Sequence, residues 1–210
     1  MPSEYRQVTL GSNPNYFATT SYVLFTLISA TLNVQNSSSI TQQNSLFNSF
    51  LSTTNLSDST ISDIETIEIA IRVTSSTLNI HNMTISKVTN QNSLDLMSIT
   101  LDSILSIDTL LFDDSQSNLM NVRSTSVHIH GITIENVSSF TNLIRISTSD
   151  NVNISQFEPI NTTTETEEKI LITGCSNVML NGVHASDSPE LIIGIVNSNV
   201  TSLTDLHIHN

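Results

Sequence analysis

The stretch Thr77-Leu-Asn-Ile-His-Asn-Met-Thr-Ile85 decides the reading of this chain. Side chains at alternate strand positions share a face, so Leu78 and Ile80 point one way and Asn79 the other. Asn82 then breaks the alternation, and Met83 and Ile85 resume it. The phrase recurs as Thr31-Leu32-Asn33-Val34, Ser126-Val127-His128-Ile129, Asn151-Val152-Asn153-Ile154 and Asn177-Val178-Met179-Leu180, with weaker copies at Asn55-Leu56, Thr100-Leu101 and Asn199-Val200. Taking the first aliphatic residue of each copy gives 32, 56, 78, 101, 127, 152, 178 and 200, a repeat of 22 to 26 residues.

A second apolar burst follows each copy, at residues 67–71, 94–99, 119–122, 143–146, 170–172 and 191–195. Short third strands such as Met83-Thr-Ile85 and Ile132-Thr-Ile134 are reached through corners at Asn82 or Gly131. Three faces per coil follow. One coil cannot bury its apolar side alone, but coils stacked about 4.8 Å apart turn each face into a parallel sheet and its inward residues into columns.

The predicted fold class is therefore all-β, a right-handed parallel β-helix with coils of about 22–26 residues. It occupies 30–210, preceded by a lead and a possible first coil over 1–29. Within that lead, residues 21–30 read as a buried strand, although a signal peptide is an alternative. The residue before each first aliphatic (Thr31, Asn55, Thr77, Thr100, Ser126, Asn151, Asn177, Asn199) is short and polar, which predicts a hydrogen-bonded ladder.

The phrases Asn79-Ile-His-Asn-Met-Thr-Ile85 and His128-Ile-His-Gly-Ile-Thr-Ile134 resemble coils of pectin-lyase-like right-handed β-helices over roughly 30–210. The scarcity of glycine and abundance of Asn, Ser, Thr and Ile look more like the long surface β-helix proteins of some protists than bacterial pectinases. A leucine-rich repeat is the architectural rival, through Leu203-Thr-Asp-Leu206-His-Ile208-His-Asn210. Its asparagine falls one residue early there, and the second half of each repeat reads as strand.

Acids outnumber Lys and Arg by 19 to 6, for a formal charge of −13. Nucleic acid and anionic membranes both require a basic footprint, which this balance does not supply. No apolar run is long enough for a membrane span. The single cysteine, Cys175, allows no intrachain disulfide and reads as a small buried hydrophobe.

Polygalacturonase-type β-helix hydrolases imply acids, a histidine and a basic residue on neighbouring coils. The nearest analogue here is Asp113, Asp114, His130 and Arg145, an alternative to a chain without catalytic residues. Glycine is missing before His130, and Ser147 stands where that family has lysine. The acidic run of 164–168 reads as a solvated excursion. His128-x-His130 and His207-x-His209 read as surface imidazoles with Val127, Ile129, Leu206 and Ile208 inward, so no metal and no cofactor is expected.

Acceptor triplets for N-glycosylation occur at Asn36, Asn82, Asn136, Asn153 and Asn161, and also at Asn55 and Asn199 within the ladder. The expectation is a structural or adhesive, extracellular or cell-surface glycoprotein rod carrying N-glycans. Its ends should stack on a continuation of the same solenoid or on other copies.

Overall fold

A computed structural model describes residues 7–10, 17–19, 23–35, 40–42, 45–66, 69–90, 92, 95–165, 168–186 and 191–209. These form a parallel β-solenoid without helix. One sheet stacks, in chain order, Gln7–Leu10, Thr31–Gln35, Thr53–Thr66, Thr77–Asn90, Ile104–Gln116, Ser126–Ser139, Asn151–Ile160, Val178–Ser186 and Val200–His209. The other stacks Val23–Ile28, Ser45–Phe50, Ile71–Thr74, Asp95–Thr100, Asn118–Arg123, Ile144–Ser147, Glu168–Thr173 and Leu191–Val196. Gln7–Leu10 pairs with Thr31–Gln35 and Val23–Ile28 with Ser45–Phe50, so strands of the lead join both sheets.

The long strands are bent, and the bends explain the sequence pattern. In Thr77–Asn90 the inward residues are Leu78, Ile80, Met83, Ile85, Val88 and Asn90. The step is two within a face and three across each bend. The extra residue is Asn82 (φ 48°) at the first bend and Lys87 (φ 53°) at the second. A residue in the left-handed region turns the backbone and restores the inward phase. Asp58, Asn82, Thr109, Gly131, Gln156, Gly182 and Asp205 form the first corner column, and Asp63, Lys87, Asp114, Asn136 and Asn161 the second. A third, after the strands of the second sheet, contains Ser29, Leu51, Ser75, Leu101, Thr148, Gly174 and Asn197.

Asn, Asp and Gly suit this conformation, but Thr109 (φ 66°) is β-branched and pays for it. The variant Thr109→Asn is expected to raise stability by about 1 kcal/mol. Equilibrium urea unfolding measures this, and an unchanged or lowered midpoint would contradict it.

The register joins the inward residues into files. Leu78, Leu105, Val127, Val152 and Val178 pair in succession and are all fully buried. Ile80, Ile107, Ile129, Ile154 and Leu180 form the parallel file. In the second sheet Phe47, Ile71, Met97, Met120, Ile144 and Ile170 do the same.

Two phases differ from the sequence reading. The inward residue opening the second phrase is Thr54, paired with Leu32 and Leu78, and Leu56 is the second of its strand. The fourth phrase opens at Ile104-Leu105, whereas Leu101 is a corner residue 63% exposed. The first inward positions are thus 32, 54, 78, 105, 127, 152 and 178, for coils of 22 to 27 residues. Aliphatic content misplaced both starts, because a threonine faces inward in one coil and a leucine faces outward in the next.

A column of small polar residues lines the inside of the third corner. The backbone N–H of Ser52 donates to Ser76 Oγ at 3.0 Å and that of Ser76 to Ser103 Oγ at 3.2 Å. Each Oγ turns back to donate to a carbonyl of its own coil, Ser76 to Thr74 and Ser103 to Thr100. Cys175 occupies the same place. Its N–H donates to Ser198 Oγ at 3.0 Å and its Sγ lies 3.5 Å from the Thr173 carbonyl, as expected of a small buried residue.

Candidate functional site

The first corner column carries the most varied chemistry, and its composition makes a recess there. Gly131 and Gly182 turn at φ 70° and 69° and contribute no side chain. Between and beside them, Thr133, Gln156, Glu158, His184 and Asp205 line a cleft of about 340 Å³. A larger groove of about 560 Å³ follows the third corner past Leu51, Ser75, Thr77 and Ile104. It offers mostly backbone and hydroxyl groups, with Asp102 the charged member of its lining.

At the far end of the cleft the register sets His184 directly against His207 on the next coil. Asp205, itself the corner residue at φ 53°, stands between them. His184 Nε2 lies 3.3 Å from Asp205 Oδ2, and His207 Nε2 lies 3.0 Å from Asp205 Oδ1. The two imidazole rings meet edge to face with centroids 5.1 Å apart. All three side chains are about half exposed. A Cβ on Gly182 would meet Gln156 N at 3.4 Å and Asp205 Oδ2 at 3.7 Å, ordinary contacts, so it is the φ of 69° that favours glycine there.

The sequence singled out His207 but not His184, whose separation of one coil becomes contact only once the coil phase is known. A register shift at Val178/Met179 also intervenes. Three other histidines have simpler partners: His81 Nδ1 faces Asp108 at 2.9 Å, His130 meets Ser155 at 2.9 Å, and His128 meets Ser126 at 3.0 Å, while the side chain of His209 lies outside the described ones.

The four residues of the hydrolase alternative stand apart. Asp113 is beyond the first corner, in register with Glu135 and bonded by Asn136 Nδ2 at 3.4 Å. Asp114 is the second corner itself. His130 lies before the first corner, opposite Asp108 and Ser155. Arg145 belongs to the other sheet, between Asn121 and Leu171. An imidazole and carboxylates separated by a corner, with the guanidinium on the second sheet, do not converge on one bond.

Arg145 instead joins a polar cluster. Its Nη2 donates to Asn142 Oδ1 at 3.4 Å, Asn142 Nδ2 donates to the Glu168 carbonyl at 2.7 Å, and Asn118 Nδ2 donates to Asp95 Oδ1 at 3.3 Å. Burial pushes the Asp95 carboxyl above its ordinary value of 3.8, against the lowering influence of bonds from Asn121 and Asn118 and of the Arg145 charge. A raised carboxylate binds its proton more readily folded than unfolded, so stability falls as pH rises from 3.8 through the folded value. The variant Asp95→Asn is expected to be more stable than the parent at pH 7, with the gap closing at pH 3. Thermal unfolding across that range reads it, and a deficit in Asp95→Asn at pH 7 would contradict it.

Of the ladder residues, Thr31, Thr77, Ser126 and Asn151 occupy one column, completed by Thr53 and Ile104. Asn177 Nδ2 continues it to Asn151 Oδ1 at 3.2 Å, and the Asn199 carbonyl accepts from Val178 N, one coil beyond the Asn177 carbonyl that accepts from Val152 N. Asn55 stands two residues on, in an amide stack where Asn79 Nδ2 donates to Asn55 Oδ1 at 2.7 Å and Asn55 Nδ2 to Asn33 Oδ1 at 2.6 Å. Thr100 is in the other sheet, 3.3 Å from Thr74 Oγ1. The two displacements follow from the two phase errors above.

Among the acceptor asparagines, Asn82, Asn136 and Asn161 are exposed corner residues. Asn82 Nδ2 donates to Asp58 at 2.9 Å and Asn161 Nδ2 to Asn136 Oδ1 at 2.8 Å. Asn153 is partly buried on a face, and Asn36 lies outside the described residues. The run of 164–168 flanks a buried lysine: Lys169 Nζ donates to the Thr162 carbonyl at 2.6 Å.

Comparison with protein-family models, curated proteins and solved structures finds no match to this chain. Its own geometry defines the class to which it belongs, the parallel β-solenoid repeat proteins.

Proposed function

We propose that this solenoid serves as a structural or adhesive rod at the cell surface or outside the cell, of the pectin-lyase-like β-helix type, and carries N-linked sugar. The observation that carries this reading is the placement of Asn82, Asn136 and Asn161 at exposed left-handed corners. There a glycan projects outward without entering a sheet or the core, and an amide bearing sugar keeps one N–H for its ladder bond. The exterior suits a rod as well, because its amide and hydroxyl stacks run along the axis and tie each coil to the next.

The partner in this reading is another coil-shaped surface. Leu203 and Leu206 are 49% and 45% exposed, while Leu180 and Val183, with which they pair, are buried. Among the surfaces that would cover these side chains, a further coil of the same solenoid or a second copy fits the reading of a stacked rod.

Peptide mapping of native protein, with enzymatic deglycosylation in heavy-oxygen water, tests the proposal. Conversion of Asn82, Asn136 or Asn161 to labelled aspartate is expected, together with labelling of the intact cell by a membrane-impermeant reagent. Unmodified asparagines in a protein that such a reagent never reaches would overturn it.

A further inference from the structure

We infer that His184, Asp205 and His207 form a binding site for one divalent first-row transition metal ion of the zinc class, tying two adjacent coils together. Three donor groups of the types such ions take, two imidazoles and a carboxylate, place their ligand atoms within 4.8 Å of one another. Zinc binds imidazole nitrogen and carboxylate oxygen at about 2.0–2.2 Å, so neighbouring donors of a tetrahedral site lie about 3.3 Å apart. The two imidazoles approach opposite oxygens of the one carboxylate, His184 Nε2 at 3.3 Å from Oδ2 and His207 Nε2 at 3.0 Å from Oδ1, distances suited to neighbouring donors around one ion. The two imidazoles bring their donor nitrogens within 4.8 Å of one another, on side chains that are about half exposed. The ion takes the Nε2 lone pair of each neutral imidazole, whose single N–H then sits on Nδ1.

The surroundings favour the same occupant. Glu158 precedes His184 in the outward column of the neighbouring coil, since Phe157 pairs with Val183, and it lines the same cleft. Its carboxylate adds negative charge to the cleft that a cation would enter. Two nitrogen donors discriminate against calcium and magnesium, which take oxygen ligands, and suit zinc, cobalt, nickel and copper. The corner places the carboxylate, because Asp205 turns at φ 53° in the column of Gln156 and Gly182 and its two oxygens face the two imidazoles. Since Asp205 and His207 lie on Val200–His209 and His184 on Val178–Ser186, the ion would bind only the stacked state and raise its stability.

The experiment is calorimetric titration of Zn²⁺ into chelator-stripped full-length chain, with Co²⁺ absorption as a second readout. One ion per chain is expected, with ligand-field bands of Co²⁺ and a raised unfolding temperature. His184→Ala and His207→Ala should each weaken binding at least tenfold. His81→Ala, which breaks a histidine–aspartate pair elsewhere, should leave it unchanged, and Ca²⁺ should give no heat of binding. The variants are surface changes whose folding is checked by circular dichroism, and Asp205→Asn provides a third that keeps its shape. Absence of Zn²⁺ binding, or binding of parental strength in the double variant His184→Ala/His207→Ala, would overturn the inference.

Discussion

Replacing Ile129 by aspartate is expected to cost on the order of 5 kcal/mol and to divide the solenoid at that coil. Ile129 is 2% exposed and pairs with Ile107 on one side and Ile154 on the other. A carboxylate there has neither water nor a cation within the aliphatic file. Stability in a stacked array is a sum of coil and neighbour terms, so the damage falls first on the two contacts that Ile129 makes. Hydrogen exchange should show protection lost between Ile104 and Ile160 before it is lost near Phe47, and urea unfolding should become biphasic or shift to lower concentration. Retention of the parental transition by Ile129→Asp would mean that the inward file is not the source of stability.

The second large effect is expected at Ser103, which is fully buried. Its Oγ accepts the Ser76 N–H and donates to the Thr100 carbonyl. Ser103→Ala leaves the Ser76 N–H without its acceptor, and an orphaned buried donor costs about 1–3 kcal/mol. Ser103→Cys should lose less, since Cys175 fills the same position three coils further along the column, with its Sγ 3.5 Å from the Thr173 carbonyl. Denaturation midpoints ordered parent, Ser103→Cys, Ser103→Ala are the expected result. Equal midpoints for parent and Ser103→Ala would show that water replaces the hydroxyl.

Much of the fold was legible because two rules act on every coil. Alternation puts Leu78 with Ile80 and Val127 with Ile129 inside, and a corner residue resets the phase, as Asn82 and Gly131 do. What escaped was the phase of two coils. Thr54 faces inward and accepts burial because its Oγ1 lies 3.4 Å from Ser49 Oγ, while Leu101 is spent on a corner. Hydrophobicity cannot rank a satisfied threonine above an exposed leucine.

The candidate site was less legible for the same reason. Contacts between coils join residues 21 to 27 apart in the chain, and a slip of one residue exchanges neighbours on the whole face. His184 and Asp205 meet only under the final register, whereas the sequence order Asp113, His130, Arg145 suggested a proximity that the corners and the second sheet remove. The acceptor asparagines were readable as triplets, and their corner placement required the dihedral angles.

Coil length varies while the inward spacing from Leu78 to Asn90, and from Leu105 to Ser117, does not. The variation is taken up in the connections between the sheets, short from Gln116 to Asn118 and longer from Ser139 to Ile144 or Thr164 to Glu168. Extra polypeptide spliced into the longer connections would pay only the closure entropy of a longer loop, about 0.6 kcal/mol for each doubling. The scaffold thus separates the part that must keep count from the part that can host foreign sequence, and a tag or epitope grafted at that flank should ride on the array without unstacking it.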